Sequence, residues 1–105
     1  MGGRPNGWKR ELETMEIRIH LKIIGRVQGV GYRNWASCTA HSLGLKGWVK
    51  NCPDDNVEAE AQGPEEIVTE FVKACHQGPA RAQVKEVKTK TLPDLGAYED
   101  FEIKF

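Results

Sequence analysis

A glycine-rich stretch that ends in an arginine holds the residue types best suited to chemistry in this chain. It runs from Gly25 to Arg33 as Gly-Arg-Val-Gln-Gly-Val-Gly-Tyr-Arg, between an apolar alternation and a segment with helical spacing. Glycines at 25, 29 and 31 allow tight bends that bring backbone N–H groups close to a ligand. The amino end of the following helix favours negative charge, and the Arg33 guanidinium offers paired donors to phosphate or carboxylate. The stretch therefore predicts a strand-to-helix turn that binds an anion.

Two familiar phosphate loops do not fit this stretch. A Walker loop ends in Gly-Lys followed by Ser or Thr, and a dinucleotide-binding turn spaces its glycines as G-x-G-x-x-G. Counted from Gly29, the third glycine of that turn would fall on Asn34. On the loop alone, an anion cradle and a purely structural turn with a surface arginine both stay open.

A second segment, Gly47-Trp48-Val49-Lys50-Asn51, follows after a short predicted helix. Together with the pattern Gly-x-Val-Gln-Gly-Val-x-Tyr-Arg, it closely resembles the paired signature of the acylphosphatase family. The similarity continues through Val57 and Gly63 at the family's spacing, and with the order of predicted elements it covers about 17 to 105. Both blocks and their separation agree, which makes the resemblance specific.

The resemblance implies hydrolysis of the carboxyl–phosphate bond of acyl phosphates to a carboxylate and inorganic phosphate, with no metal ion, cofactor or covalent phosphoenzyme. By position, Arg33 would bind the phosphoryl oxygens and Asn51 would orient the attacking water. The backbone amides of the loop would complete the phosphate site, so the phosphate-binding residues would be Gln28, Gly29, Val30, Gly31, Tyr32 and Arg33. So sparse a site suits an activated phosphate with a good leaving group, because the protein mainly positions water and holds charge. Such a site makes little contact with the acyl group, and broad specificity is expected.

A second hypothesis keeps the phosphate site without the reaction, as a non-catalytic phosphate- or acyl-phosphate-binding accessory module. The presence of both Arg33 and Asn51 favours the enzyme. An RNA-binding module of the same layout is disfavoured, because the formal net charge is zero and 57–62 lacks the basic Gly-aromatic motif of such domains. The expected partners are therefore small acyl phosphates and inorganic phosphate, and neither nucleic acid nor a membrane.

One residue departs from the family pattern. The family usually has Gly in the turn after Asn51, whereas this chain has Asp55 within Asp54-Asp55-Asn56. After Gly, Asp and Asn best tolerate the left-handed turn conformation. We therefore expect a slightly strained hairpin and a retained site, with an added carboxylate that could lie near the phosphate.

Hydrophobic periodicity and turn residues predict the elements that must position this site. Strands are predicted over 17–24, 45–51, 57–62, a run that begins at 82, and 101–105. Helices are predicted over 34–43 and from an entry at 63–66, with Pro64 at the first helical position, to a stop at 78–79. This order predicts an α+β fold, a ferredoxin-like split β-α-β sandwich with two helices on one face of a mostly antiparallel four- to five-stranded sheet.

Several conspicuous side chains are interpreted as packing residues. Trp48 is expected in the core, as are the alternating residues of the last strand, Phe101, Ile103 and Phe105. Cys38 and Cys75 are expected to pack within the two helices, and Cys52 has no adjacent base that would make it a nucleophile. The three histidines have no convincing partner in the sequence and are assigned no role.

The bulk properties favour one small domain. The chain has 105 residues and no formal net charge, enough for one core over residues 15–105 and a flexible, polar tail over 1–14. The odd number of cysteines, three, argues for reduced thiols. With no apolar run of membrane-spanning length and no secretory-type start, the sequence predicts a cytoplasmic protein, which we expect to be a monomer.

Overall fold

Alternating apolar and polar residues form the strands of this fold. A computed structural model describes residues 15–105 of the chain. The tail predicted for 1–14 lies outside the described residues. The elements, in chain order, are β1 (Glu16–Arg26), α1 (Tyr32–Ser42), β2 (Lys46–Asn51), β3 (Val57–Pro64), α2 (Glu65–Gln77), β4 (Gln83–Leu92) and β5 (Phe101–Lys104). The predicted element order is confirmed.

The five strands form one sheet in the order β4-β1-β3-β2-β5. β1 is antiparallel to both β3 and β4, and β2 is antiparallel to β3, whereas β2 and β5 are parallel. The sheet is thus mostly antiparallel, as predicted, with a parallel pair at one edge. Because β1, β2 and β5 run in the same direction, their carboxyl ends meet at one end of the sheet.

One face of the sheet carries the core. Its inward residues include Leu21 and Ile23 of β1 and Val49 of β2, all with no exposed surface. The apolar stripe of α2 covers them through Phe71, whose ring lies edge-on to Phe101 with centroids 5.8 Å apart. Burial of these side chains holds both helices against the same face, which confirms the predicted two-layer arrangement.

The helix boundaries follow their capping residues. α1 begins two residues before the predicted start, at Tyr32, and ends where Gly44 adopts a left-handed φ of 71°. The N–H groups of Gly44 and Leu45 return to the His41 and Ala40 carbonyls, so the end of the helix is satisfied. α1 and α2 have 11 and 13 residues, and neither is long and apolar enough to cross a membrane.

The core prediction was wrong for two aromatic residues. Trp48 lies on the sheet face away from the helices, because its strand neighbour Val49 points inward and successive side chains alternate. The Lys50 and Lys104 ammonium groups lie 5.3 Å and 4.8 Å from its ring centroid. Phe105 follows the last paired residue of β5 and is 100% exposed. Cys38 is also exposed, while Cys75 is buried as predicted.

Candidate functional site

Three strand ends converge where the sequence predicts the site. Val57 of β3 pairs with Ile23 of β1 on one side and with Asn51 of β2 on the other. Lys50 pairs with Lys104 of β5. The loop that follows β1, the last residue of β2 and the last residues of β5 therefore reach the same end of the sheet. Segments that are distant in sequence can share one site there.

A cleft of about 310 Å³ occupies this end of the sheet. It brings together most of the residues predicted to act, including Arg33 and Asn51. Its lining consists of Val27, Gly29, Gly31, Tyr32, Arg33, Asn34, Asn51, Ile103 and Phe105. The two blocks of the sequence signature are therefore parts of one cleft, although a helix and a turn separate them along the chain.

The glycines of the loop serve two different purposes. Gly29 and Gly31 have φ of 75° and 79°, and an added Cβ would meet no atom within 4 Å at either position. Backbone conformation is thus what requires glycine there. Gly25 lies within β1, and an added Cβ would lie 2.2 Å from the Gln83 carbonyl oxygen, where the register with β4 shifts. Gly25 therefore allows strand contact and does not line the cleft.

Arg33 lies in the first turn of α1 with most of its donors uncommitted. Its Nη1 donates to the Lys104 carbonyl at 3.2 Å, and its Cζ lies 4.8 Å from the Phe105 ring centroid. Within residues 15–105, no carboxylate lies within 4.0 Å of this guanidinium. Its positive charge is therefore not neutralised by an ion pair and is available to an anion in the cleft.

The amino end of α1 adds backbone donors. Its N-cap residue is Gly31, which makes no side-chain capping bond, and the first turn contains no acidic residue. The N–H groups of a first helical turn have no partner within the helix. Together with the helix dipole, they make this end of the cleft favourable for negative charge.

The side chain of Gln28 makes contacts that the sequence, which indicated only its backbone amide as a phosphate donor, did not predict. Its Nε2 donates to the carbonyls of Cys52 and Asn56, each at 2.8 Å. Both carbonyls belong to the turn that follows Asn51. Gln28 thus ties the β1–α1 loop to the β2–β3 hairpin and fixes the distance between the two halves of the site.

Tyr32 and Val30, also predicted to bind phosphate, use their side chains for packing. Tyr32 is 1% exposed, and its hydroxyl donates to the Cys75 carbonyl at 2.6 Å. Burial raises the pKa of this phenol well above its usual value, so it stays neutral. The half-buried Val30 packs against the core. Any contact of these two residues with an anion must come from their backbone.

Three lining residues, Asn34, Ile103 and Phe105, lay outside the predicted site, and a fourth, Val27, lies in the predicted loop of 25–32 but was not singled out as a phosphate-binding residue. Asn34 follows Arg33 directly, and this adjacency at a helix start was a usable signal. Val27 belongs to the glycine-rich stretch but is 1% exposed and looks like a core residue by type. Ile103 and Phe105 gave no signal, because their position beside the cleft depends on the parallel pairing of β5 with β2.

Other reactive groups near the site are not activated. Burial, together with the nearby Glu58 carboxylate, raises the pKa of the Cys52 thiol, which keeps it protonated. Among residues 15–105, no three His, Cys, Asp or Glu side chains are grouped so that they could hold a metal ion. The cleft offers an arginine, two amides and a helix start as its polar groups.

The turn at Asp55 has the strained conformation expected of it. Asp55 is the one residue other than glycine with a positive φ, 72°, among those described. It is exposed and does not line the cleft; with Arg26 and Lys85 it borders a separate groove. The carboxylate therefore does not lie at the phosphate mouth.

Replacing Asp55 with glycine should stabilise the protein by about 0.5–1 kcal/mol, because glycine adopts the left-handed conformation without steric cost. Urea unfolding would measure the change, and the affinity for inorganic phosphate should stay the same. Asp54→Gly is the matched control in the same turn. It should destabilise the protein, since Asp54 accepts hydrogen bonds from the Lys22 ammonium and the Asn56 N–H. A weaker or unchanged stability of Asp55→Gly would contradict the strain argument.

Comparisons with known proteins agree on one family. The family model described as Acylphosphatase matches residues 19–103. An acylphosphatase from Trichormus variabilis is 47% identical over 92 residues, which cover 88% of this chain and 90% of the relative. One from Rhodopseudomonas palustris is 50% identical over 81 residues, covering 76% and 82% of the two chains.

A solved structure shares the architecture as well. The crystal structure of acylphosphatase from Bacillus subtilis superposes with a TM-score of 0.82 and 34% identity, covering 85% of this chain and 99% of the other. The resemblance carried by the two sequence blocks therefore extends to the whole described domain.

Proposed function

Because the chain belongs to the acylphosphatase family, whose members hydrolyse acyl phosphates, we propose that Arg33 holds the phosphoryl group in the cleft and Asn51 orients the attacking water. The carboxyl–phosphate bond is the bond broken, and a carboxylate and inorganic phosphate are the products. The proposed assignment of roles rests on the chemistry of the two side chains and on their shared cleft.

In this reaction the protein has to position the attacking water and stabilise the charge of the phosphoryl group. The oxygen of one water attacks phosphorus as the bond from phosphorus to the bridging oxygen breaks. The bond electrons leave with the carboxylate, which needs no proton at neutral pH, and both hydrogens of the water remain with the phosphate product. The enzyme must place the water in line and stabilise the spread negative charge of the phosphoryl oxygens.

Arg33 suits the charged part of this task. One of its N–H groups is used by the Lys104 carbonyl, which orients the planar group, and the remaining donors can bind phosphoryl oxygens in pairs. The uncapped start of α1 supports the same charge. Both contributions are fixed before the substrate arrives, which is what electrostatic stabilisation of a transition state requires.

Asn51 suits the positioning of water. Its side-chain amide can accept a hydrogen bond from water through oxygen and donate one through nitrogen, and it has no charge to repel the phosphate. The residue ends a paired strand, and Gln28 ties the turn that follows it to the phosphate loop. The single observation that carries the proposal is that an arginine without an ion-pair partner and an asparagine at the end of a paired strand line one cleft.

Hydrolysis of benzoyl phosphate in water enriched in oxygen-18 tests the proposal at the bond that breaks. We expect the purified protein to place one labelled oxygen in inorganic phosphate and none in benzoate, at an unchanged rate in the presence of a chelator. Reaction without protein gives the background to subtract. Label in benzoate would mean attack at the carbonyl carbon, and it would refute the assigned water position.

The proposal also covers the cellular location, the oligomeric state and the partners of the enzyme. We propose a cytoplasmic monomer that has no nucleic-acid partner. Both residues assigned to the reaction, Arg33 and Asn51, line the same cleft of one chain. The three cysteines are free thiols, as is usual in a reducing compartment. The formal net charge of zero offers no general attraction to nucleic acid.

A further inference from the structure

The cleft has an apolar part that phosphate and water do not use. Ile103 and Phe105 reach it from the end of β5, and Val27 reaches it from the loop after β1. Val27 is buried and Ile103 is half-buried, so both are parts of the fixed wall. Phe105 differs from them because it is an exposed residue.

The position of the Phe105 ring relates it directly to the phosphate site. Its centroid lies 4.8 Å from Cζ of Arg33, the group proposed to bind the phosphoryl oxygens. In an acyl phosphate, the carbonyl carbon is joined to phosphorus through one bridging oxygen. The substituent of that carbon must therefore leave the phosphate site close to Arg33, where the phenyl ring is the large exposed apolar surface.

We propose that Phe105, supported by Ile103, binds the acyl group and gives the enzyme a preference for acyl phosphates with an apolar, above all aromatic, acyl group. This inference rests on the proposed binding of phosphate by Arg33. An aromatic acyl group that packs on Phe105 removes apolar surface of both partners from water and makes an aromatic contact. An acetyl group is too small to cover the ring. On this proposal the cleft contacts the acyl group, whereas the sequence alone leads to an expectation of broad specificity.

The ratio of kcat/KM for benzoyl phosphate to kcat/KM for acetyl phosphate tests this preference. In Phe105→Ala we expect this ratio to fall about 5- to 10-fold, because a hydrophobic contact of this size contributes about that much discrimination. Phe105→Trp should keep or raise the ratio. Leu95→Ala is the matched control, since Leu95 is also a large exposed apolar residue, 55% exposed, but lies outside the cleft. This control should leave both values unchanged.

Two outcomes would overturn the inference. A ratio that stays at its wild-type value in Phe105→Ala would show that the ring does not contact the acyl group. Equal losses with both substrates, accompanied by weaker inhibition by inorganic phosphate, would mean that Phe105 only orients Arg33. The proposed function is judged separately, by the rate of Arg33→Ala on acetyl phosphate. If that variant keeps the wild-type rate, the phosphate assignment fails whatever the ratio does.

Discussion

Replacing Arg33 with alanine lowers kcat/KM for benzoyl phosphate by at least about 100-fold, the usual cost of removing one preorganised donor to a developing charge. The guanidinium has no carboxylate partner among residues 15–105, and its one protein hydrogen bond goes to the Lys104 carbonyl. Alanine therefore removes the charge and the paired donors together, while no buried charge is left unpaired. Steady-state kinetics would measure the loss, and a thermal unfolding curve would show that the variant is folded.

Arg26→Ala is the matched control for this variant. Arg26 belongs to the same glycine-rich stretch and carries the same charge, but it is exposed and lines a different groove. Its replacement should change the rate by less than about twofold, because an exposed charge outside the site is screened by solvent. Arg33→Lys should recover only part of the activity, since an ammonium group lacks the planar pair of donors. Near-wild-type activity of Arg33→Ala would refute the assignment of the phosphate-binding group.

Replacing Asn51 with alanine should lower kcat by about 100-fold, again by analogy with the loss of one positioned polar group. Inhibition by inorganic phosphate should change by less than about threefold, because the proposed contact of Asn51 is with water and not with phosphate. Such a split between turnover and affinity identifies an interaction made in the transition state. Initial rates with increasing inorganic phosphate as inhibitor would give both quantities from one experiment.

Asn34→Ala provides the comparison for Asn51. Asn34 is a second asparagine of the cleft, but it is exposed and lies on the first turn of α1. If it oriented the water instead, its replacement would give the larger loss of kcat, and the role would pass from Asn51 to Asn34. A loss of phosphate affinity without a loss of kcat in Asn51→Ala would make that residue a phosphate ligand.

The sequence was sufficient wherever the site is local. The glycines that need left-handed φ, the arginine that follows them and the asparagine that ends a strand all lie in short segments with clear turn and strand signals. The spacing of apolar and polar residues also predicted the strands of the sheet and the two helices. The ends of β1 and β2 could then be placed near each other from the topology alone, whereas the end of β5 could not.

Other features of the site could not be predicted from the sequence, because they depend on contacts between segments that are far apart along the chain. The place of Phe105 follows from the parallel pairing of β5 with β2, two strands about 50 residues apart in sequence. The bonds of Gln28 to the hairpin depend on the folded distance between two loops. Trp48 was misplaced for a different reason, since Leu45, Gly47 and Val49 already formed the inward series and left Trp48 on the outer face. The alternation of side chains along the strand, and not the size of the tryptophan, decides which face of the sheet Trp48 occupies.

The candidate site depends on β5, a short strand at the edge of the sheet with few backbone pairings. The strand has four residues and, among residues 15–105, pairs only with β2. It supplies the carbonyl that orients Arg33 and the side chain of Ile103, and it leads directly to Phe105. Edge elements with few pairings open at a lower free energy than the core. Release of β5 would disassemble the site and remove Phe101 from its contact with Phe71 of α2, while β1 and β3 stay paired. We therefore expect activity to be lost on mild denaturation before the fold is lost, so that the rate of hydrolysis would report a local opening before global unfolding.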